Sequence, residues 1–90
     1  MRTITATLDD RADHVLRDLE TKTGLSTGSL LSLSLSLAQW TYQQRVGDRV
    51  IATLNEANNS YRILDVAAVC QKFEAAAEAE RAALVPAAAA

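Results

Sequence analysis

An alternating run near the start of the chain constrains its fold more than any other feature. Between residues 2 and 8, threonines alternate with apolar side chains, and this two-residue period predicts a half-buried β-strand. A lone strand leaves its backbone donors and acceptors unpaired, and no adjacent segment can form a tight hairpin with it. We therefore expect it to pair with the same strand of a second chain. The inward set is Ile4, Ala6 and Leu8, and the outward set is Thr3, Thr5 and Thr7.

The segment that follows the strand has the spacing of an amphipathic helix. Its apolar residues are Ala12, Val15, Leu16 and Leu19. Asp10 is expected to cap this helix at its start, with Asp13 reaching back as in a capping box. Gly24 is expected to end the helix near Thr23, because glycine readily adopts the left-handed conformation that closes a helix.

Ser26 or Thr27 is expected to cap a second helix that runs to about Gln44. Its middle, residues 32–37, alternates serine with leucine and can also be read as a strand. We favour helix because leucine forms strands less readily than valine or isoleucine and because the flanking residues fit a helical wheel. That wheel has two apolar faces, and each needs a cover. One face holds Leu30, Leu31, Leu35 and Ala38, and the other holds Leu33, Leu37 and Trp40.

The C-terminal half predicts a β-hairpin followed by a helix. Residues 49–54 and 61–64 are strand-like, and the polar cluster between them is typical of a turn. Asp65 is expected to cap one final helix. The apolar face of that helix holds Val66, Val69, Cys70 and Phe73, with Cys70 as a small core residue.

These elements predict an α+β fold that is mostly helical. The chain is 49% hydrophobic but has only one Trp, one Phe and two Tyr, which favours helices packed through aliphatic side chains. Ninety residues are marginal for a single core, so dimerisation is expected to supply buried surface. We expect three parts: residues 1–46, a hairpin and helix extension over 47–85, and a tail over 86–90 that is either frayed or not native.

Several function classes lack support in the sequence. The formal net charge of −2 does not point to nucleic acid, and the excess of acid lies in residues 51–90. A catalytic nucleophile such as Cys70 needs a positioned base, and the lone histidine is far from it in sequence. No phosphate loop, pair of carboxylates with raised proton affinity, or zinc motif is visible. His14 has no second ligand at metal spacing. We therefore expect no enzyme activity, no metal and no cofactor.

The expected location is the cytoplasm. Cys70 is the single cysteine, which excludes an intramolecular disulfide, and no early segment has the pattern of a secretion signal. The apolar stretch over residues 30–40 is interrupted by serines and is shorter than the roughly 20 residues that a membrane span needs. No membrane association is expected.

Residues 2–44 resemble the ribbon-helix-helix family, which comprises the Arc- and MetJ-type bacterial and plasmid repressors. The match consists of the alternating strand, the Asp9-Asp10 cap, the apolar spacing of the first helix and the run over residues 24–31. The resemblance implies an intertwined homodimer whose two strands form a ribbon in the DNA major groove. It implies a dimer core of Ile4, Ala6, Leu8, Leu30, Leu31, Leu35 and Ala38.

The resemblance also implies a set of DNA contacts. The base-facing residues are Thr3, Thr5 and Thr7, and the residues against the DNA backbone are Arg2, Ser26, Thr27, Gly28 and Ser29. Threonine can hydrogen-bond base edges and touch the thymine methyl, while free amides at a helix start bind phosphate. Family members usually carry a cationic or amide side chain among the outward ribbon positions. The three threonines make this face neutral, which weakens the electrostatic part of DNA affinity.

Three functions follow as expectations. The first is a homodimeric, sequence-specific transcriptional repressor or autoregulator, whose C-terminal hairpin and helix extend the dimer or make higher-order contacts that build a larger oligomer. In this function Arg2, Arg45 and Arg49 either approach the DNA backbone or are solvated. The second is an antitoxin-like protein whose C-terminal half binds a toxin or another protein, and the third is a dimerisation module without DNA binding. The surface available for a partner consists of Leu33, Leu37, Trp40, Tyr61 and Ile63, which alternatively pack on each other within one chain or across the dimer.

Overall fold

The computed structural model describes residues 1–84 and is mostly helical, with one two-stranded antiparallel sheet. This confirms the expected α+β, mostly helical class. The predicted tail over residues 86–90 lies outside the described residues. The helices are α1 (Asp10–Thr23), α2 (Thr27–Val46), α3 (Val66–Val69) and α4 (Gln71–Leu84), and the strands are β1 (Ala52–Asn55) and β2 (Ser60–Ile63).

The chain divides into two compact units, Met1–Ser36 and Leu37–Ala90. The division falls within α2, whereas the boundary expected at residue 46 coincides with the end of that helix. The first unit therefore contains the N-terminal segment, α1 and the start of α2. The second unit contains the rest of α2, the hairpin, α3 and α4.

The N-cap of helix α1 lies one residue earlier than the sequence predicted. Asp9, not Asp10, is the N-cap, and its side chain accepts a hydrogen bond from the Ala12 amide at 2.8 Å. The extended backbone of Asp9 directs its carboxylate at that amide, whereas Asp10 is already helical. Asp13 does not form the predicted capping box, because with Asp9 as the N-cap the third helical position is Ala12. The Asp13 carboxylate instead pairs with Arg17 at 3.1 Å.

The end of α1 is as predicted. Gly24 has φ 70°, and its amide donates to the Glu20 carbonyl at 3.0 Å, which closes the helix after Thr23. This left-handed residue turns the chain within three residues into α2. The tight turn is what brings the last turn of α1 beside the first turn of α2.

The serine and leucine run of α2 is helical, as favoured from the sequence, and α2 extends two residues beyond the predicted Gln44. Ser34 and Ser36 donate their hydroxyls to carbonyls four residues earlier, at 2.8 and 3.1 Å. Serine in a helix interior satisfies its hydroxyl in this way, so the alternating pattern does not require a strand. Leu30, at 4% exposure, is the buried residue of this helix.

The hairpin forms as predicted, with strands shifted slightly from the expected bounds. Leu54 pairs with Tyr61, and Asn55 pairs with Ser60 at the turn. Asparagine side chains organise this turn: Asn58 accepts from the Ser60 amide at 3.2 Å, and Asn59 takes a left-handed φ of 54°.

The single final helix predicted after Asp65 is wrong. Asp65 does cap a helix, accepting from the Ala68 amide at 3.2 Å, but that helix ends at Val69. Cys70 is extended, with φ −155° and ψ 103°, and separates α3 from α4. The predicted face residues nevertheless come together, because Val66, Val69, Cys70 and Phe73 line one apolar groove of about 270 Å³. The Cys70 side chain is exposed rather than part of a core.

The second unit has a small core. Val66 and Ala77 are its buried hydrophobic residues among those described. Phe73 packs edge-on against Tyr42, with ring centroids 5.4 Å apart. The same unit buries one carboxylate, Glu74, between α2 and α4.

Candidate nucleic-acid interface

The N-terminal segment, residues 1–9, is exposed along its length and has no regular secondary structure. The predicted outward residues Thr3, Thr5 and Thr7 lie here, as does Arg2. The inward residues are equally uncovered: Ile4 is 66% exposed and Leu8 is 43% exposed. The expected partner of this strand is a second chain, so its pairing stays a prediction.

An apolar groove of about 390 Å³ lies on the first unit, between α1 and the start of α2. Its walls include Val15 and Leu19 of α1, together with three predicted dimer-core residues, Leu8, Leu30 and Leu31. The structure therefore brings these three core positions together on one surface. The remaining predicted core residues are exposed: Ile4, Ala6, Leu35 and Ala38.

The start of α2 has the geometry of an anion site. Ser26 caps the helix, with its hydroxyl oxygen accepting from the Ser29 amide at 3.2 Å and its hydroxyl donating to Ser29 Oγ at 3.0 Å. Among residues 1–84, no acceptor is found for the amides of Thr27 and Gly28. Apart from its chain neighbours and the backbone of α2 itself, no described atom lies within 4 Å of the position where a Cβ on Gly28 would stand. Two free amides and an open approach fit a phosphate oxygen.

Glu20 is a residue of this site that sequence reasoning missed. The Thr27 hydroxyl donates to Glu20 Oε2 at 3.1 Å, which holds a carboxylate beside the start of α2. That carboxylate interacts favourably with the helix dipole, as a phosphate would, and it repels a phosphate that approaches. The position of Glu20, four residues before the helix-ending Gly24, was the sequence signal for this contact. The turn at Gly24 folds that position back towards the start of α2.

The first unit is close to electrically neutral. Residues 1–36 contain four basic and five acidic side chains. Arg17 pairs with Asp13 and Lys22 pairs with Asp18, both exposed pairs within one helix. In the described part of the chain, Arg2 and Arg11 have no ion-pair partner. They are therefore the cations of this unit that remain available for phosphate.

A polar cluster in the second unit was also not foreseen. Arg45 binds the Glu74 carboxylate through Nη2 at 2.7 Å and through Nε at 3.0 Å. The Glu74 side chain is only 8% exposed. The hydrogen bonds from Arg45, together with the charges of Arg45 and Arg81, hold the pKa of Glu74 below its usual 4.5. The same hydrogen bonds, which Arg45 donates to Glu74, raise the pKa of Arg45.

Arg81 completes this cluster by donating to the backbone carbonyl of Arg45, with Nε at 3.1 Å. Arg45 therefore binds α4 and helps to hold the second unit together. Arg49 donates to the Gln44 side chain at 3.4 Å. The sequence left two interpretations open for Arg45, which were contact with the DNA backbone and free solvation. The contacts that Arg45 makes within the second unit support neither.

The residues expected to form a partner surface are uncovered in the single chain. Leu33, in the first unit, is 50% exposed. In the second unit, the exposed fractions are 55% for Leu37, 49% for Trp40, 71% for Tyr61 and 57% for Ile63.

Within residues 1–84, no group of three His, Cys, Asp or Glu side chains is placed to hold a metal ion. Over the same range, no helix has both the length and the apolarity to cross a membrane. Comparisons with protein-family models, curated proteins and solved structures find no match to this chain.

Proposed function

We propose that the chain is a homodimeric ribbon-helix-helix DNA-binding protein that acts as a transcriptional repressor or autoregulator. One observation carries this proposal: the organisation of the first unit. An unpaired alternating segment precedes two helices that are joined by a glycine turn, and an apolar groove lies open between them. A strand from a second copy pairs with the segment through backbone hydrogen bonds, and its apolar side chains cover the groove.

The exposure of large apolar side chains in the first unit supports an obligate assembly. In the N-terminal segment, Ile4 is 66% exposed and Leu8 is 43% exposed. Along the first half of α2, Leu31 and Leu33 are each 50% exposed and Leu35 is 69% exposed. So many uncovered apolar side chains on one unit are typical of a surface that self-association covers.

In the proposed dimer, residues 2–8 of two chains pair as an antiparallel ribbon. Ile4, Ala6 and Leu8 then face the apolar grooves of the two first units, because side chains alternate along a strand. Thr3, Thr5 and Thr7 occupy the opposite face. A two-stranded ribbon fits the major groove of B-DNA, where threonine can contact base edges.

The start of α2 supplies the proposed contact with the DNA backbone. The amides of Thr27 and Gly28 bind a phosphate oxygen once the Glu20 carboxylate moves aside, and Arg2 adds a positive charge. Because few cations are available, the salt dependence of affinity is expected to be shallower than for a protein that makes about six to ten phosphate contacts. With Arg2 and Arg11 of both chains contributing, the slope of log K against log salt is about −2 to −4.

The proposal is tested by selecting duplexes from a random library with the full chain and measuring binding by fluorescence anisotropy. Thr5→Ala is expected to weaken binding to the selected duplex by roughly fivefold to a hundredfold, the effect of losing a base contact. Thr53→Ala is the matched control, because Thr53 is an exposed strand threonine outside the ribbon. No selection of any duplex, or equal effects of the two variants, would contradict DNA recognition and favour a dimerisation module without DNA binding.

A second candidate function is an antitoxin-like protein whose C-terminal unit binds a toxin or another protein. The observation that favours it is the exposure of Leu37, Trp40, Tyr61 and Ile63, each about half uncovered or more. Co-purification of the product of an adjacent gene with the full chain tests this function. Loss of that complex on Trp40→Ala, with dimer mass unchanged, supports it, and failure to co-purify contradicts it.

A further inference from the structure

The N-terminal segment has opposite charges at its two ends. Between residues 2 and 10, Arg2 is the cation, Asp9 and Asp10 are the acids, and every residue from 3 to 8 is uncharged. Arg2 and Asp10 are both exposed, and neither has an ion-pair partner in the described part of the chain. The Asp9 carboxylate is already engaged, because it caps α1. Arg2 and Asp10 are therefore the two charges that this segment offers to a partner.

A strand cannot bring these two charges together within one chain. Eight residues of β-strand are about 27 Å long, so an extended segment keeps Arg2 far from its own Asp10. In an antiparallel pair of identical segments, each arginine lies near the acidic end of the other chain. A parallel pair sets like charges side by side, which is unfavourable. The charges therefore complement each other only in an antiparallel pair, and this favours a second copy of the chain as the partner of the segment.

The register of the pair decides whether the two side chains meet. With Thr5 on the two-fold axis, every residue of the alternating run finds a partner, and Arg2 lies opposite the partner's Leu8. The backbone of Asp9 is extended, with φ −71° and ψ 170°, so the strand direction continues up to Asp10. The partner's Asp10 is then a diagonal neighbour of Arg2 at about 7–8 Å, which a long side chain can reach.

We propose that Arg2 forms an ion pair with the partner's Asp10, once at each end of the ribbon, and that these two pairs stabilise its antiparallel direction. This inference deepens the proposed function and rests on it. A slip of two residues towards the N-terminus sets Arg2 opposite the partner's Ala6 and out of reach of that carboxylate, so both pairs are lost. The guanidinium has five N–H donors, and a carboxylate occupies two of them, so the others stay available for a DNA phosphate.

A double-mutant cycle on the full chain tests the ion pair. The dissociation constant of the dimer is measured by sedimentation equilibrium, or from the concentration dependence of urea unfolding if the dimer is too tight. Arg2→Gln and Asp10→Asn are each expected to raise this constant roughly twofold to thirtyfold, because two exposed pairs are lost per dimer. The double variant is expected to match one single variant, because the pair is already lost. All three effects are expected to shrink at high salt.

Asp13→Asn is the matched control, because it removes the same charge from the first turn of α1 at a residue that already pairs with Arg17. Its effect is expected to add to that of Arg2→Gln. Asp10→Glu keeps the charge and is expected to retain most of the coupling to Arg2.

DNA binding measured on the same samples separates the two proposals. Additive effects of Arg2→Gln and Asp10→Asn in a dimer that selects a duplex would overturn the ion pair alone. A chain that stays monomeric and selects no duplex would overturn the proposed function, and the ion pair with it.

Discussion

At the scale of single residues, a substitution at Gly28 is expected to change stability and DNA affinity in opposite directions. Its position in the first turn of α2 needs no positive φ, and the space beside it is open, so alanine fits. We expect Gly28→Ala to raise the free energy of unfolding by about 0.5–1 kcal/mol, because alanine is the better helix former. The added methyl group obstructs close approach of a phosphate, and DNA affinity falls roughly fivefold. Urea denaturation and fluorescence anisotropy measure the two effects, and unchanged affinity in the stabilised variant would exclude a phosphate at this turn.

Glu20 gives a second test at the residue scale. Its carboxylate lies beside the proposed phosphate position, and Gln keeps an oxygen that accepts from Thr27 while removing the charge. We therefore expect Glu20→Gln to strengthen DNA binding by roughly twofold to tenfold, most at low salt where repulsion is least screened. Glu56→Gln, in the hairpin turn, is the matched control. Equal affinities of the two variants at low salt would show that Glu20 does not face the DNA.

At the scale of elements, the sequence was sufficient where local chemistry decides the structure. Gly24 ended α1 as predicted, and the asparagine-rich turn located the hairpin within about three residues. The break at Cys70 was missed, because the apolar period continues from Val66 to Phe73 and nothing in it distinguishes one helix from two. The pairing of Arg45 with Glu74 was missed because the residues are 29 positions apart and nothing local connects them.

The buried ion pair between α2 and α4 makes the second unit sensitive to acid. The folded-state pKa of Glu74 lies below 4.5, so its stabilisation is fully present above about pH 4.5 and is lost as pH falls through the folded-state value. We expect Glu74→Gln to lower the urea midpoint at pH 7, and its difference from the parent to shrink below pH 4.5. Glu56→Gln is again the control. A difference that stays constant between pH 7 and pH 3 would contradict a charged Glu74 in the folded protein.

At the scale of the whole molecule, the single chain buries fewer apolar side chains than its pattern of hydrophobic residues predicts. Leu30, Val66 and Ala77 are its buried hydrophobic residues within the described range. The alternation over residues 2–8 predicted a strand whose partner lies outside the chain. Residues 1–9 have no regular secondary structure in the described part of the chain, and the pairing with a second chain stays a prediction. The strand's partner cannot be read from one copy of the sequence, because a two-residue period specifies a buried face and not what covers it.

Amide hydrogen exchange over residues 3–8, measured by NMR on the full chain, tests the central claim most directly. In an antiparallel ribbon of two strands, every second amide bonds to the partner, so alternate amides are expected to exchange at least about a hundredfold more slowly than in an unstructured peptide. Ile4→Asp buries a charge in the proposed core and is expected to remove this protection together with the dimer. Exchange of all these amides at unstructured rates, while α1 and α2 stay protected, would contradict the ribbon.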